Sequence, residues 1–409
     1  MGSKRELLEQ IEKIVSKNLD NGKVILDIFA GTCGVGIYLR DKYPTYSNDI
    51  QLYSKIISEG TIEIPPINIT KEKIWSLLEN KYNENYKYLT SKLTNYLNES
   101  KSYIEVRNWN NHLLERYLEF IKTVPYPTNT NGMRPEGKWI INEYFKRTSN
   151  GRSFPYFQTT SLFSEMYFSL EQAISIDSLK YAIDNIGKEH KNLASVLNVA
   201  LIHSYSYNSA GTGHFAQFRD LSTISSVKDV FLYRTRSVLD YFFRKVEEII
   251  QSSKVNKYYK DSKSFALDYR DLIKNKNIMS NVGLIYADPP YSFVHYSRFY
   301  HAIEDLCRYD YPVVEHKGRY RTDRHQSPFC IKTQAPEAFR DLFVGAFRYH
   351  IPVLISYSNT GMIKLSQVIN IAKETGYKTE LVEIAHKHST MGRLRDKDRD
   401  VTEALLLCH

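Results

Sequence analysis

The segment LIYADPPYSF, residues 284–293, runs an apolar stretch straight into a carboxylate, two prolines and an aromatic ring. If the apolar run is a buried strand, Asp288 presents its carboxylate where that strand ends. Pro289 adds a backbone carbonyl, and Pro290 keeps the chain out of any helix or ladder. Two acceptors side by side suit an amino group with two N–H donors, and Tyr291 offers a face on which a planar base can stack. Asp and Pro also favour plain turns. A turn explains neither the preceding strand nor the aromatic residue.

A second constellation is DIFAGTCGVG, which begins at Asp27. Gly31, Gly34 and Gly36 stand between an apolar run and a helical pattern, where they let the backbone approach a ligand and leave free N–H groups at the helix start. The spacing is not the GxGxxG of dinucleotide enzymes. Asp49 follows at the end of the next short apolar run, where an acid can hold both hydroxyls of a ribose. A tight strand–helix turn with a solvated Asp is the other reading of these residues.

The elements that must position these groups fall into three zones. In residues 1–58, RELLEQIEKIV places Leu7, Leu8, Ile11, Ile14 and Val15 on one helical face. VILDIFA then reads as a buried parallel strand, GVGIYLRDK as a helix and TYSND as a second strand. Residues 59–261 carry Tyr, Asn, Lys and Leu at helical spacing, interrupted by polar stretches at 124–161 and 206–226, and read as a mainly helical insertion. Residues 262–409 return to strand–helix alternation. The strands are SFALDY, VGLIYA, IPVLISYS, KTELVEIAH and TEALLLC, with helices around 299–308, 335–349 and 363–375. Seven strands result, the last two forming an antiparallel hairpin and the others a parallel sheet covered by helices on both faces. Ligands of such a sheet bind beyond the carboxyl ends of its strands, where both constellations fall.

Composition sets the outer bounds. The 409 residues are 42% hydrophobic and 25% charged, as in ordinary globular proteins, and 55 Lys and Arg against 46 Asp and Glu give a net charge of +9. That excess permits contact with a polyanion without requiring it. Cys33, Cys307, Cys330 and Cys408 form no CxxC pair, which argues for reduced thiols and against a zinc site or a disulfide framework. MGSKRELLEQ lacks the apolar segment of a signal peptide, and no run approaches the roughly 20 apolar residues that cross a bilayer. A soluble, cytoplasmic protein without a membrane partner is expected.

The order MGSKRELL, DIFAGTCGVG, a long insertion and then ADPPY resembles the alpha-class, Dam-like N6-adenine DNA methyltransferases. The lysine motif reads GSK where that family typically has GGK, and the glycine-rich turn contains a cysteine. The insertion is similar to loosely related members in YFSLEQAISIDSLKYAI and GTGHFAQF. The resemblance implies a Rossmann-like seven-stranded methyltransferase sheet formed by 1–58 and 262–409, with 59–261 as a target-recognition insertion. It also implies S-adenosyl-L-methionine as cofactor and double-stranded DNA as substrate. By the same likeness Lys4 and Asp27 engage the carboxylate and ammonium of the cofactor's methionine end, and Phe29, Ala30, Gly31, Gly34 and Gly36 wall it in. Asp49 holds the ribose, and Asp268 meets the adenine amino group with Tyr269 packed nearby. A target adenine flipped out of the duplex would meet Asp288, Pro289, Pro290 and Tyr291.

Three basic clusters are candidates for phosphate contacts: Arg134, Lys138, Lys146, Arg147 and Arg152 in one loop; Lys317, Arg319, Arg321 and Arg324 after DPPY; and Lys387, Arg393, Arg395, Lys397 and Arg399 in the final hairpin loop. His214 reads as structural or phosphate-facing. An RNA adenine methyltransferase shares the same chemistry but usually keeps its two motifs close together, and a methyltransferase-like DNA-binding subunit without activity is a further alternative. A cytosine C5 enzyme would need a Pro-Cys nucleophile, which is absent. A cognate restriction endonuclease or a defence-system component is the protein partner that the resemblance suggests.

Overall fold

VGLIYA is apolar on both faces and VLISYS on one, with Ser356 and Ser358 on its other, so both are at home as strands only inside a covered sheet. In the computed structural model, which describes residues 6–124, 126–127, 134–148, 151–290, 297–358, 361–387 and 400–409, every residue of these two strands is buried. The strands in chain order are β1 (Val24–Asp27), β2 (Thr45–Asn48), β3 (Lys263–Phe265), β4 (Val282–Ala287), β5 (Val314–Glu315), β6 (Tyr320–Arg321), β7 (Val353–Ser358), β8 (Thr379–Lys387) and β9 (Asp400–Cys408). Seven of them form one sheet in the order β3-β2-β1-β4-β7-β9-β8. The first five are parallel, and β9 runs antiparallel to both β7 and β8.

Side-chain alternation along these strands feeds two cores. Leu26, Ile285 and Ile355 face the helices Ala335–Phe347 and Leu365–Thr375, whereas Ile25, Leu284 and Leu354 face the side on which Ile11 and Val15 of the helix Leu8–Asn18 pack. β2 lies on one side of β1 and β4 on the other, so strand order reverses between β1 and β4. An open sheet of this kind has its ligand crevice at that reversal.

The chain divides into two compact units. The sheet unit comprises Met1–Pro65, Val255–Tyr296 and His325–His409, and the second comprises Pro66–Lys254 with Ser297–Arg324. The expected insertion, 59–261, thus gains a second segment that the strand–helix alternation had assigned to the sheet. In the second unit the helix Leu170–Ile186 is buried almost all round. Its Asp177 accepts bonds from the Thr159 and Thr160 backbone N–H groups, the Thr160 hydroxyl and the Tyr309 hydroxyl. Such satisfaction is what a fully buried carboxylate requires. Two further expectations change. The stretch 124–161 contains the helix Pro135–Arg147, opened by a proline at its first position, and SFALDY shortens to β3 because Asp268 caps a helix instead.

Gly345, on the helix Ala335–Phe347, sets how closely that helix meets Tyr269–Lys274, because a Cβ there would lie 2.1 Å from Cγ2 of Ile273. Gly345→Ala is expected to cost about 1–3 kcal/mol. Combined with Ile273→Ala, which removes the colliding branch, it should be clearly less damaging than the two separate losses added together. Denaturant melts of the four proteins in this cycle measure the coupling, and strict additivity would contradict the contact.

Candidate active site

β1 is hydrogen-bonded on both edges, with Asp27 level with Ser47 of β2 and Tyr286 of β4. The chain stays in register past the strand end, since Ile28 N–H donates to Tyr286 O at 3.0 Å and Ala30 N–H to Asn48 O at 2.8 Å. Asn48, fully buried, closes the edge: its amide donates to Ile28 O and Leu267 O and accepts from Leu267 N–H. One side chain thus fastens the ends of β1 and β2 to the segment after β3. Asn48 was not singled out from the sequence, and its place as the last residue of a short strand is the only signal it gives there.

The glycine-rich turn is shaped by two left-handed residues, Gly31 at φ 52° and Cys33 at φ 60°. Cys33 is held there by its thiol, which donates to Ser54 O at 3.3 Å. Gly31 N–H donates to Asp49 Oδ2 and Gln51 N–H to Asp49 Oδ1, both at 3.0 Å, which fixes the plane of that carboxylate. Nothing lies within 4 Å of the Cβ positions of Gly31 and Gly34, whereas at Gly36 a Cβ would meet Ile62 at 2.8 Å. Gly36 therefore serves helix packing, and the first two glycines leave open backbone.

Asp27 is 3% exposed, and its Oδ1 has no hydrogen-bond partner among the described residues. Burial holds its carboxyl well above the usual carboxylate range, with repulsion from Asp288 and then Asp49 adding to the effect and the Phe29 N–H opposing it. The carboxylates at the ends of β1, β2 and β4 are thus close enough to sense one another. Asp288 is partly buried and Pro289 buried. The Cys330 thiol donates to Pro290 O at 3.3 Å, and burial pushes that thiol up to about 11, so it keeps its proton. Cys330 is a second positioning residue that the sequence reading did not single out.

An aromatic wall stands beside the turn. Phe29, Tyr269 and Phe329 meet with ring centroids 5.2–5.5 Å apart, and the Tyr269 hydroxyl donates to Ala338 O. Asp268, expected at a strand end, is instead the N-cap of Tyr269–Lys274, accepting Arg270 N–H at 2.8 Å through Oδ1. Lys4, Tyr291, Arg393 and Arg395 lie outside the described residues.

The basic clusters separate on inspection. Arg147 is buried in a helix, not exposed on a loop, and donates to the carbonyls of Ser153, Phe154 and Pro155. Arg152 caps the end of the helix Ser297–Arg308 through the carbonyls of Cys307 and Arg308 and pairs with Asp184. Arg321 is 3% exposed and pairs with Asp305, Asp310 and Asp323. Arg134 pairs with Glu99 at 2.5 Å. A guanidinium whose donors are spent on buried internal acceptors is a poor phosphate ligand, so Arg147 and Arg321 are corrected to structural roles and Arg134 is largely neutralised, whereas Arg152 is itself exposed. The Arg319 guanidinium is fully buried, over the Tyr126 ring. Lys138 and Lys146 are exposed on the helix, Lys146 beside Glu143. Arg324 lies over the Tyr320 ring.

The seven-stranded, mostly parallel sheet with its antiparallel C-terminal pair is consistent with a methyltransferase fold. Residues 1–187 match the D12 class N6 adenine-specific DNA methyltransferase family. The chain is 25% identical over 379 residues to modification methylase LlaI of Lactococcus lactis subsp. lactis, covering 91% of this chain and 48% of that protein. It is similarly 25% identical to modification methylase StsI of Streptococcus sanguinis over 91% of the chain and 46% of the relative. It is 24% identical to the type II methyltransferase M.FokI of Planomicrobium okeanokoites over 92% and 47% respectively. These matches bear out the resemblance read from the sequence, and the chain spans about half the length of these relatives. No helix among the described residues is long and apolar enough to cross a membrane.

Because folded Asp27 holds its proton more tightly than the unfolded chain does, the ligand-free protein should lose stability as pH rises from about 4 toward the folded value. Asp27→Asn removes the charge, so its melting temperature at pH 8 should exceed that of the wild type, by about 2–4 °C for each kcal/mol of relieved burial. Calorimetry across that pH range compares the two, and parallel curves would sink the assignment of a raised Asp27.

Proposed function

We propose that this chain transfers a methyl group from S-adenosyl-L-methionine to N6 of an adenine flipped out of duplex DNA. The observation that carries the reading is the buried Asp27 carboxylate, whose Oδ1 has no hydrogen-bond partner among the described residues, at the strand-order reversal and in electrostatic reach of Asp288. A buried carboxylate of this kind fits a cationic ligand group, and the cofactor's ammonium is one. The open backbone at Gly31 and Gly34 leaves room for its body, Asp49 would accept from the ribose hydroxyls, and Asp268 from the adenine amino group beside Tyr269. Lys4 would complete the grip at the methionine carboxylate. When bound, the cofactor supplies an electrophilic methyl carried on a sulfonium.

The rest of the chemistry belongs to the chain. An adenine N6 is a weak nucleophile because its lone pair is delocalised into the ring. The Asp288 carboxylate and the Pro289 carbonyl would accept its two N–H bonds, drawing the nitrogen toward a tetrahedral form and fixing its direction. N6 must shed one proton in the reaction, and Asp288 is the acceptor at hand. The Cys330 thiol, protonated, holds the peptide after Pro290 in place. Tyr291 would stack on the extruded base. Lys138, Lys146 and Arg324 keep their proposed role toward phosphates, as do Arg393 and Arg395. The relatives are named as modification methylases, and a cognate restriction endonuclease as partner belongs to the same proposal.

Purified protein incubated with methyl-labelled cofactor and mixed genomic DNA should place label in N6-methyladenine after digestion to nucleosides. Asp288→Ala should reduce transfer by about 10³-fold or more while the affinity for the cofactor changes less than about threefold. Transfer at the wild-type rate by that variant, or label appearing in RNA in preference to DNA, would overturn the reading.

A further inference from the structure

The stretch SPFC, residues 327–330, belongs to neither motif of the site, yet it touches both. Pro328–Cys330 is a single tight turn, closed by Cys330 N–H on Ser327 O at 3.0 Å and Ile331 N–H on Pro328 O at 3.1 Å. All three residues are buried. A turn this short and this enclosed holds its neighbouring side chains in one fixed relation.

Phe329 faces the glycine-rich side. Its ring meets Phe29 edge-on, with centroids 5.2 Å apart and planes at 78°, and meets Tyr269 at 5.3 Å. Phe339 stands against it, also edge-on, at 5.0 Å. Phe29 is the residue whose N–H supports the Asp27 carboxylate, and Tyr269 directly follows the capping Asp268. One ring, 1% exposed, therefore braces both segments proposed to wall the cofactor.

Cys330 works on the other motif. Its thiol donates to Pro290 O at 3.3 Å. The Pro290 ring already fixes its own φ, so tying its carbonyl leaves the preceding peptide, which carries Pro289 O, little room to turn. A thiol is a weak donor, and burial keeps this one protonated. It thus holds the carbonyl without placing a second negative charge near Asp288.

Phe329 and Cys330 are consecutive, so one peptide unit links the aromatic wall to the DPP backbone. Methyl transfer depends steeply on the separation of the two reacting atoms, and a misplacement of about 1 Å can cost about 100-fold. We propose that Pro328–Cys330 is a spacer that fixes the distance between the bound cofactor and the target amine. Phe329 and Cys330 are then positioning residues, the first acting through Phe29 and Tyr269, the second through the carbonyls of the DPP motif. The proposal deepens the methyltransferase reading and rests on it.

The test compares wild type with Cys330→Ala, Cys330→Ser, Phe329→Leu and the double variant of Phe329→Leu with Cys330→Ala. Three quantities are read: kcat and KM on a DNA that wild type methylates, cofactor affinity by calorimetry without DNA, and melting temperature. Cys330→Ala is expected to lower kcat about 10–100-fold while cofactor affinity changes less than about threefold. Cys330→Ser, which keeps an O–H donor, should recover most of that loss at a similar melting temperature. Phe329→Leu should weaken the cofactor about 3–10-fold. In the double variant the loss in kcat/KM should fall short of the product of the single losses, because a spacer released at one end has less to lose at the other. If Cys330→Ala keeps the wild-type kcat, or the serine variant is no better than alanine, the hydrogen bond does not position the motif. If the single losses simply multiply, the two ends act independently and there is no spacer. If wild type labels no adenine, the functional reading falls and the proposal falls with it; full-rate labelling by both wild type and Cys330→Ala sinks the proposal alone. Should Cys330→Ala fail to fold, Cys330→Val, close to the thiol in volume and without a donor, takes its place.

Discussion

Everything at the site depends on β1 being paired on both edges. A strand hydrogen-bonded to β2 on one side and β4 on the other cannot shift without breaking two ladders. The residues that leave its end are therefore delivered to a fixed point. Because β2 and β4 run parallel to β1, their own ends arrive at the same edge of the sheet, bringing Asp49 and Asp288 into electrostatic reach of Asp27. Asn48 removes the remaining freedom by joining those ends to the segment after β3. The cores on the two faces hold the sheet, and the sheet holds the carboxylates.

This arrangement stores an electrostatic conflict. A carboxylate buried beside two others is unfavourable in the free protein, and the chain provides no cation to relieve Asp27 among its described residues. Evolution tolerates such a group where a ligand completes it, since the same burial that raises its pKa strengthens its bond to an incoming cation. Cys33 and Cys330 show the opposite use of burial. Their thiols stay protonated, act as donors, and shape the turn and the peptide after the DPP motif.

The second unit handles charge differently. Asp177 and Glu165 are buried and satisfied by several donors each, Glu165 by Ser100, Tyr117, Leu170 N–H and Arg234. Arg147 and Arg321 are spent on the same kind of internal work. A basic sequence stretch thus divides into cations that build the scaffold, such as Arg147 and Arg321, and cations that face outward, such as Lys138, Lys146 and Lys317. The unit takes in Ser297–Arg324, the segment downstream of DPP, as well as Pro66–Lys254.

Strand and helix identity, the parallel sheet with its terminal hairpin and the two motif-bearing edges were legible in the sequence, because apolar runs and glycine-rich turns act through local geometry. DPP at the end of VGLIYA and the acids Asp27 and Asp49 could be placed at one edge because strand–helix alternation implies parallel strands. The tertiary structure decided what depends on neighbours distant in the chain. Asp268 reads as a strand end until the helix it caps is seen, and Asn48 is an ordinary polar residue until its three hydrogen bonds to Ile28 and Leu267 are seen. Arg147 and Arg321 look like Arg319 in sequence. Only packing decides which guanidinium meets carboxylates and which is left with an aromatic face, because burial and pairing are properties of the surroundings and not of the residue.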